Sequence, residues 1–182
     1  MKPSAPKVSL ELASPEATAA LGRFLAGIMG PGDTLLLSGQ LGSGKTLLAR
    51  ALIQSRLGPA GAETDVPSPS FTLVQTYAGP DTEIWHADLY RLCDVGDLIE
   101  LGLDEAFGTA LCIVEWPERL DAMMPPDALH VTLSHVSDDH PDLRQAHLHG
   151  ARDRWGARLR GLQDAVAEAG RTNDTPARGT VQ

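Results

Sequence analysis

The chain has 182 residues, 42% of them hydrophobic and 21% charged, with a formal net charge of −9 and two cysteines. That length and balance suit one folded domain, or one domain with a tail, and exclude a wholly disordered chain. The acidic surplus argues against a protein that grips nucleic acid by itself, and two cysteines alone build neither a disulfide framework nor a four-ligand zinc site.

No apolar run approaches a membrane span, and Met1–Pro6 lacks the apolar core of a secretory signal, so the cytoplasm is the expected location. Residues 1–9 read as a loose start or edge strand. Ser14-Pro15 opens a helix as N-cap and first helical residue, and Leu21, Phe24, Leu25 and Ile28 form its apolar stripe. Gly30-Pro31-Gly32-Asp33 ends it, and Thr34–Ser38 is the continuous apolar run of a buried parallel strand. A glycine-rich loop follows, then a helix over Thr46–Leu57 and a loop over Gly58–Ser70. Phe71–Tyr77 and Glu83–Ala87 read as two strands, Asp94–Phe107 as short acidic helices, and Leu111–Glu115 as another buried strand. Leu129–His135 and Leu143–His149 read as late strands. Arg152–Ala169 reads as one amphipathic helix with Trp155, Leu159, Leu162 and Val166 on one face. Its basic half comes first, against the helix dipole, which calls for a supporting contact. Gly170–Gln182 reads as a disordered tail.

Chemistry concentrates at Gly39-Gln40-Leu41-Gly42-Ser43-Gly44-Lys45-Thr46, which fits the phosphate-loop pattern G-x-x-x-x-G-K-[ST]. Glycines let the backbone close on phosphates, loop N–H groups cradle the anion, Lys45 bridges the β- and γ-phosphates, and the Thr46 hydroxyl ligates Mg²⁺. Lys45 is also the one lysine outside the N-terminal segment, the others being Lys2 and Lys7. A second acidic group near Mg²⁺ is expected at a strand end. Glu115 fits this, and Asp88, in His86-Ala87-Asp88-Leu89-Tyr90-Arg91, is a second candidate that alternatively caps a helix.

The class of P-loop protein can be narrowed. The one asparagine, Asn173, lies in the tail, so the N-K-x-D guanine motif is absent. Between Gly58 and Glu118 the one Lys or Arg is Arg91, too few for a kinase lid, although Arg152, Arg154, Arg158 and Arg160 stay open as lid candidates. Elsewhere, the histidines at 130, 135, 140, 147 and 149 match no metal motif and read as strand-surface residues. Cys112 reads as core, and Cys93 has no thiolate-stabilising neighbour beyond Arg91. The acidic run from Asp94 to Glu105 is either a solvated face or a docking face.

Four segments stand out together: Gly39–Thr46, Ser68-Pro69-Ser70-Phe71-Thr72-Leu73-Val74, His86-Ala87-Asp88-Leu89-Tyr90-Arg91-Leu92 and Val114-Glu115-Trp116-Pro117. In this order and at these spacings they resemble the bacterial TsaE (formerly YjeE) family of P-loop ATPases. The resemblance covers roughly residues 10–150. It implies an α/β, P-loop NTPase-like fold with a mostly parallel central sheet flanked by helices. The domain spans 1–150, with a helical extension over 151–169 and a tail over 170–182. The resemblance also implies slow ATP hydrolysis with ADP left bound, and association with the threonylcarbamoyl transferase subunit and its paralogous partner. That heterodimer modifies the adenosine next to the anticodon, so tRNA is met indirectly, and no membrane is involved.

The site residues follow the same resemblance. Lys45, Asp88 and Glu115 form the catalytic set. Thr18, Leu41, Gly42, Ser43, Gly44, Lys45, Thr46 and Arg144 contact ATP or ADP. Thr46 and Glu115 hold Mg²⁺. Ser68 and Thr72 lie on a switch-like loop, Thr72 placed to sense the γ-phosphate, and Trp116 stands beside the site. Ser70 replaces the family's common threonine, and residues 151–182 depart from the family pattern. A small-molecule kinase, and a binding switch whose hydrolysis is incidental, are the alternatives.

Overall fold

Seven strands build one twisted sheet in the order β1-β7-β6-β2-β5-β4-β3. The structure, a computed structural model, describes residues 7–172 other than Val95 and Asp138. The strands are β1 (Lys7–Leu12), β2 (Thr34–Ser38), β3 (Val74–Ala78), β4 (Glu83–Asp88), β5 (Leu111–Glu115), β6 (Leu129–His135) and β7 (Arg144–His149). The four central strands β6, β2, β5 and β4 are parallel, and β7, β1 and β3 are added antiparallel at the two edges. This is the mostly parallel sheet expected.

Burial explains the patterning. β5 is buried at every position and β2 at all but Ser38, so both read as continuous apolar runs. β6 alternates because one of its faces is open, and on that face His130 stacks on His149 across the strands with ring centres 4.5 Å apart. One face of the sheet packs on α1 (Pro15–Ile28), α2 (Lys45–Arg56) and α6 (Leu162–Thr172). The other packs on α3 (Gly96–Glu100), α4 (Leu103–Ala106) and the turn around Leu120. In α1, Ser14 caps Ala17 N–H at 3.2 Å with Pro15 behind it, as the sequence predicts. Gly22 sits where a Cβ would stand 2.5 Å from the Leu48 carbonyl, so a glycine there lets α1 lie directly on α2. Cys112 is a core residue, and burial pushes its thiol up to about 12.

Three expectations need correction. The late helix is not continuous. α5 (Arg152–Trp155) is a single turn, Gly161 takes φ 80°, and only then does α6 begin. The apolar stripe of Trp155, Leu159, Leu162 and Val166 nonetheless enters the main core. The contact that the basic half called for is Asp33: Arg154 meets Oδ1 through Nε at 3.0 Å and Nη2 at 2.6 Å, and Arg158 meets Oδ2 at 2.7 Å. These arginines lie before β2, at the opposite end from the phosphate loop, which removes them as a lid. Second, β3 starts at Val74 rather than Phe71, because Leu73 takes φ 63° and gives its carbonyl to Asp88 N–H at 2.9 Å. Third, α6 continues past Gly170 to Thr172. Of residues 1–9, those from Lys7 onward belong to the edge strand β1, and the earlier ones and the rest of the tail lie outside the described residues. Among the described residues, no helix is long and apolar enough to cross a membrane.

Candidate functional site

Strand register assembles the site. β2 ends at Ser38 and runs straight into Gly39–Gly44, after which Lys45 opens α2. Gly44, in the left-handed region at φ 103°, turns the chain from loop into helix. β5 lies beside β2 with Glu115 opposite Leu37, and β4 lies beside β5 with Asp88 opposite Glu115. Parallel order therefore brings both acidic strand ends to the mouth of the loop.

A cavity of about 450 Å³ opens there. Its wall is Leu41 to Leu47 of the loop and helix start, with Ser68, Ser70, Asp88, Tyr90, Arg91 and Glu115. Thr46 Oγ1 donates to Glu115 Oε2 at 3.0 Å. Lys45 Nζ donates to the carbonyls of Gly39 at 2.8 Å and Gln40 at 2.9 Å, and stands 4.0 Å from the centre of the Trp116 ring. Burial lowers the pKa of the ammonium below the usual lysine value, and the carboxylates of Glu115, Asp88 and Glu118 oppose that shift. Asp88 accepts from Tyr90 N–H at 3.0 Å and from the Ser68 hydroxyl, so it ties the loop after α2 to the end of β4.

The expected site residues fall into two groups. Leu41, Gly42, Ser43, Gly44, Lys45, Thr46, Ser68, Asp88 and Glu115 all line the cavity. Thr18, Thr72, Trp116 and Arg144 stand outside its wall. Thr18 is buried on α1, its methyl 3.6 Å from where a Cβ on Gly44 would be. Arg144 reaches from β7 to the loop's outer side, donating to the carbonyls of Ser43 at 3.3 Å and Gly42 at 3.4 Å. Trp116 packs against Tyr90 at 4.9 Å and lies beneath Lys45. Thr72 is exposed in the turn before β3.

Sequence reasoning assigned no role to three residues here. Tyr90 and Arg91 join the cavity wall, and Arg91 covers the exposed Phe71 ring at 4.4 Å. His86 is fully buried, with Nε2 2.9 Å from Glu115 Oε1. The signal was present: His86 and Asp88 are two apart on one strand and so share a face.

The donor set fits a nucleotide with Mg²⁺. Thr46 and Glu115 offer hard oxygens to a divalent cation, and Lys45 offers a cation to phosphate at the start of a helix.

A family model described as threonylcarbamoyl adenosine biosynthesis protein TsaE matches residues 12–145. The chain belongs to the TsaE family. The role described for that family lies in tRNA threonylcarbamoyladenosine biosynthesis. The TsaE of Rickettsia bellii is 38% identical over 128 residues, which are 70% of this chain and 87% of that protein. The TsaE of Bacillus subtilis is 33% identical over 131 residues, covering 71% and 79%. The crystal structure of YdiB from Bacillus subtilis superposes with a TM-score of 0.69 at 26% identity, covering 94% of this chain and 99% of YdiB. The structural likeness thus takes in more of the chain than the TsaE family match does.

Proposed function

We propose that this chain binds ATP with Mg²⁺, hydrolyses it slowly, and so supports repeated threonylcarbamoyl transfer to the adenosine next to the tRNA anticodon. It does this in the cytoplasm, by association with the transferase subunit and its paralogous partner. The observation that carries the reading is the Thr46–Glu115 hydrogen bond at 3.0 Å, beside Lys45 in a phosphate-loop cavity. It supplies two oxygens for Mg²⁺ and one cation for the β/γ-phosphates. Bound Mg²⁺ supplies charge neutralisation on the phosphates.

The chain's own residues divide the remaining work. Loop N–H groups and the start of α2 receive the phosphates. Asp88, held by Ser68 and Tyr90 N–H, orients a water molecule. Lys45 and Arg91 are the cations of the described cavity wall, and Arg144 is occupied by loop carbonyls. Arg91 is the one arginine of that described wall and it lies over the Phe71 ring, so developing γ-phosphate charge is met sparsely, turnover by the isolated protein is slow and the partner complex raises it. A net charge of −9 suits contact with proteins and leaves most of the tRNA to them.

The test is multi-turnover transfer to tRNA by the partner pair supplied with threonylcarbamoyl-adenylate. It is run without this protein, with it, and with Thr46→Ala. Only the wild type is expected to sustain repeated cycles. Equal progress in all three reactions would overturn the proposal. A kinase would instead consume ATP only with an acceptor present, and a pure switch would still work with Asp88→Asn.

A further inference from the structure

We infer that His86 is a positioning residue for Glu115, dividing the carboxylate so that one oxygen is held in the core and the other is left for the ligand. The inference rests on the nucleotide–Mg²⁺ reading above and adds a residue to it.

Glu115 is 2% exposed and His86 fully buried. The two carboxylate oxygens have separate partners: Oε1 meets His86 Nε2 at 2.9 Å, and Oε2 receives the Thr46 hydroxyl at 3.0 Å. An ionised carboxylate only accepts, so the ring presents Nε2–H to it. His86 Nδ1 is buried with no hydrogen-bond partner, so nothing on the other side of the ring among the described residues explains its place. A buried imidazole with a single polar contact, made to the expected metal-side carboxylate, has the arrangement of an outer group that orients a ligand.

The contact also settles a competition. Lys45 and Glu115 attract one another, yet no ion pair joins them within 4.0 Å. The ammonium sits on the carbonyls of Gly39 and Gln40 instead. With Oε1 on His86 and Oε2 on Thr46, both carboxylate oxygens are engaged elsewhere than at the ammonium. The register sets this geometry, because His86 lies opposite Ile113 and Asp88 opposite Glu115, which puts the ring diagonally across from the carboxylate on the same face.

Titration calorimetry of ADP with the full chain, with and without Mg²⁺, tests this. The variants are wild type, His86→Leu, His86→Gln and His86→Asn, with Glu115→Gln and the His86→Leu/Glu115→Gln double variant. Wild type is expected to bind ADP more tightly with Mg²⁺. His86→Leu should keep its Mg²⁺-free affinity within about twofold and lose about tenfold or more of the Mg²⁺-dependent gain. The Gln amide reaches the Nε2 position and restores most of that gain, whereas the shorter Asn does not. The double variant should lose no more than Glu115→Gln alone, since both act through one carboxylate. A wild-type Mg²⁺ gain in His86→Leu, or equal values for Gln and Asn, would overturn the inference. If His86→Leu does not fold, the Gln–Asn comparison decides alone. If wild type itself shows no Mg²⁺ gain, the nucleotide–Mg²⁺ reading falls and this inference falls with it.

Discussion

The Lys45 ammonium is parked 4.0 Å from the centre of the Trp116 ring while it donates to the Gly39 and Gln40 carbonyls. Trp116 directly follows Glu115, and its own backbone is in the left-handed region at φ 61°. The indole is therefore fixed to the strand end that carries the carboxylate. A ligand that draws Lys45 off the carbonyls must also change the charge over the ring. We expect ADP to change tryptophan emission, and Trp116→Phe to abolish that change, whereas Trp85→Phe and Trp155→Phe retain it. Affinity in Trp116→Phe should fall by no more than about tenfold, because a partly desolvated cation–π contact contributes about 1 kcal/mol.

The phosphate loop should tolerate its glycines unequally. Gly39 takes φ 142°, and a Cβ there would stand 2.3 Å from the Leu133 carbonyl and 2.7 Å from Ser43 Oγ. Gly42 takes φ 76° with open space around it. Gly39→Ala is expected to cost about 3 kcal/mol or more, because backbone must move. Gly42→Ala should cost only about 1–2 kcal/mol of left-handed strain. Urea unfolding of the two variants checks this.

Asp33 fastens the C-terminal segment to the start of β2. It is 2% exposed, and besides Arg154 and Arg158 it accepts from Gly30 N–H at 2.9 Å. The two arginines are 34% and 40% exposed, so removing the acid leaves them hydrated rather than stranded. Asp33→Ala is therefore expected to cost about 2–3 kcal/mol, the scale of lost hydrogen bonds to a charged group. Trypsin should then cut at residues 152–160 before the sheet unfolds, a sensitivity the wild type lacks.

Lys45 should lose its proton earlier than an ordinary lysine. Burial lowers its folded pKa below 10.5. The cost of burying the charge is present in full below the folded pKa, and it is relieved as pH rises toward 10.5. Lys45 thus adds to stability with rising pH across that window, while ADP binding weakens over the same window as the ammonium is lost. We expect the ADP affinity of the wild type to fall with a midpoint below 10.5, and Lys45→Arg to bind without that decline.

Much of this was legible in the sequence, for identifiable reasons. Ser14-Pro15, the run Thr34–Ser38 and the loop Gly39–Thr46 carry local signals, and each appears where those signals put it. Asp88 and Glu115 end apolar runs, and a parallel sheet brings such ends together. What escaped was set by distant partners. The helix break after Trp155 falls in a segment whose Arg154 and Arg158 meet Asp33, more than a hundred residues earlier, and Gly161 turns the chain into α6. The late start of β3 follows from the Leu73–Asp88 backbone bond. His86 looked like one letter of a motif because the carboxylate it meets is 29 residues away.

The fastening at Asp33 bears on how the molecule moves. β2 is only five residues long, with Asp33 bolted to Arg154 and Arg158 before it and the phosphate loop after it. Parallel neighbours hold it on both sides. With β2 held this way, we expect rearrangement on ligand binding to fall on segments beyond the strand ends, chiefly residues 68–73 and 116–123. Amide exchange should register this as a still frame with a moving rim: Leu35–Leu37 unchanged by ADP, and the two loops slowed.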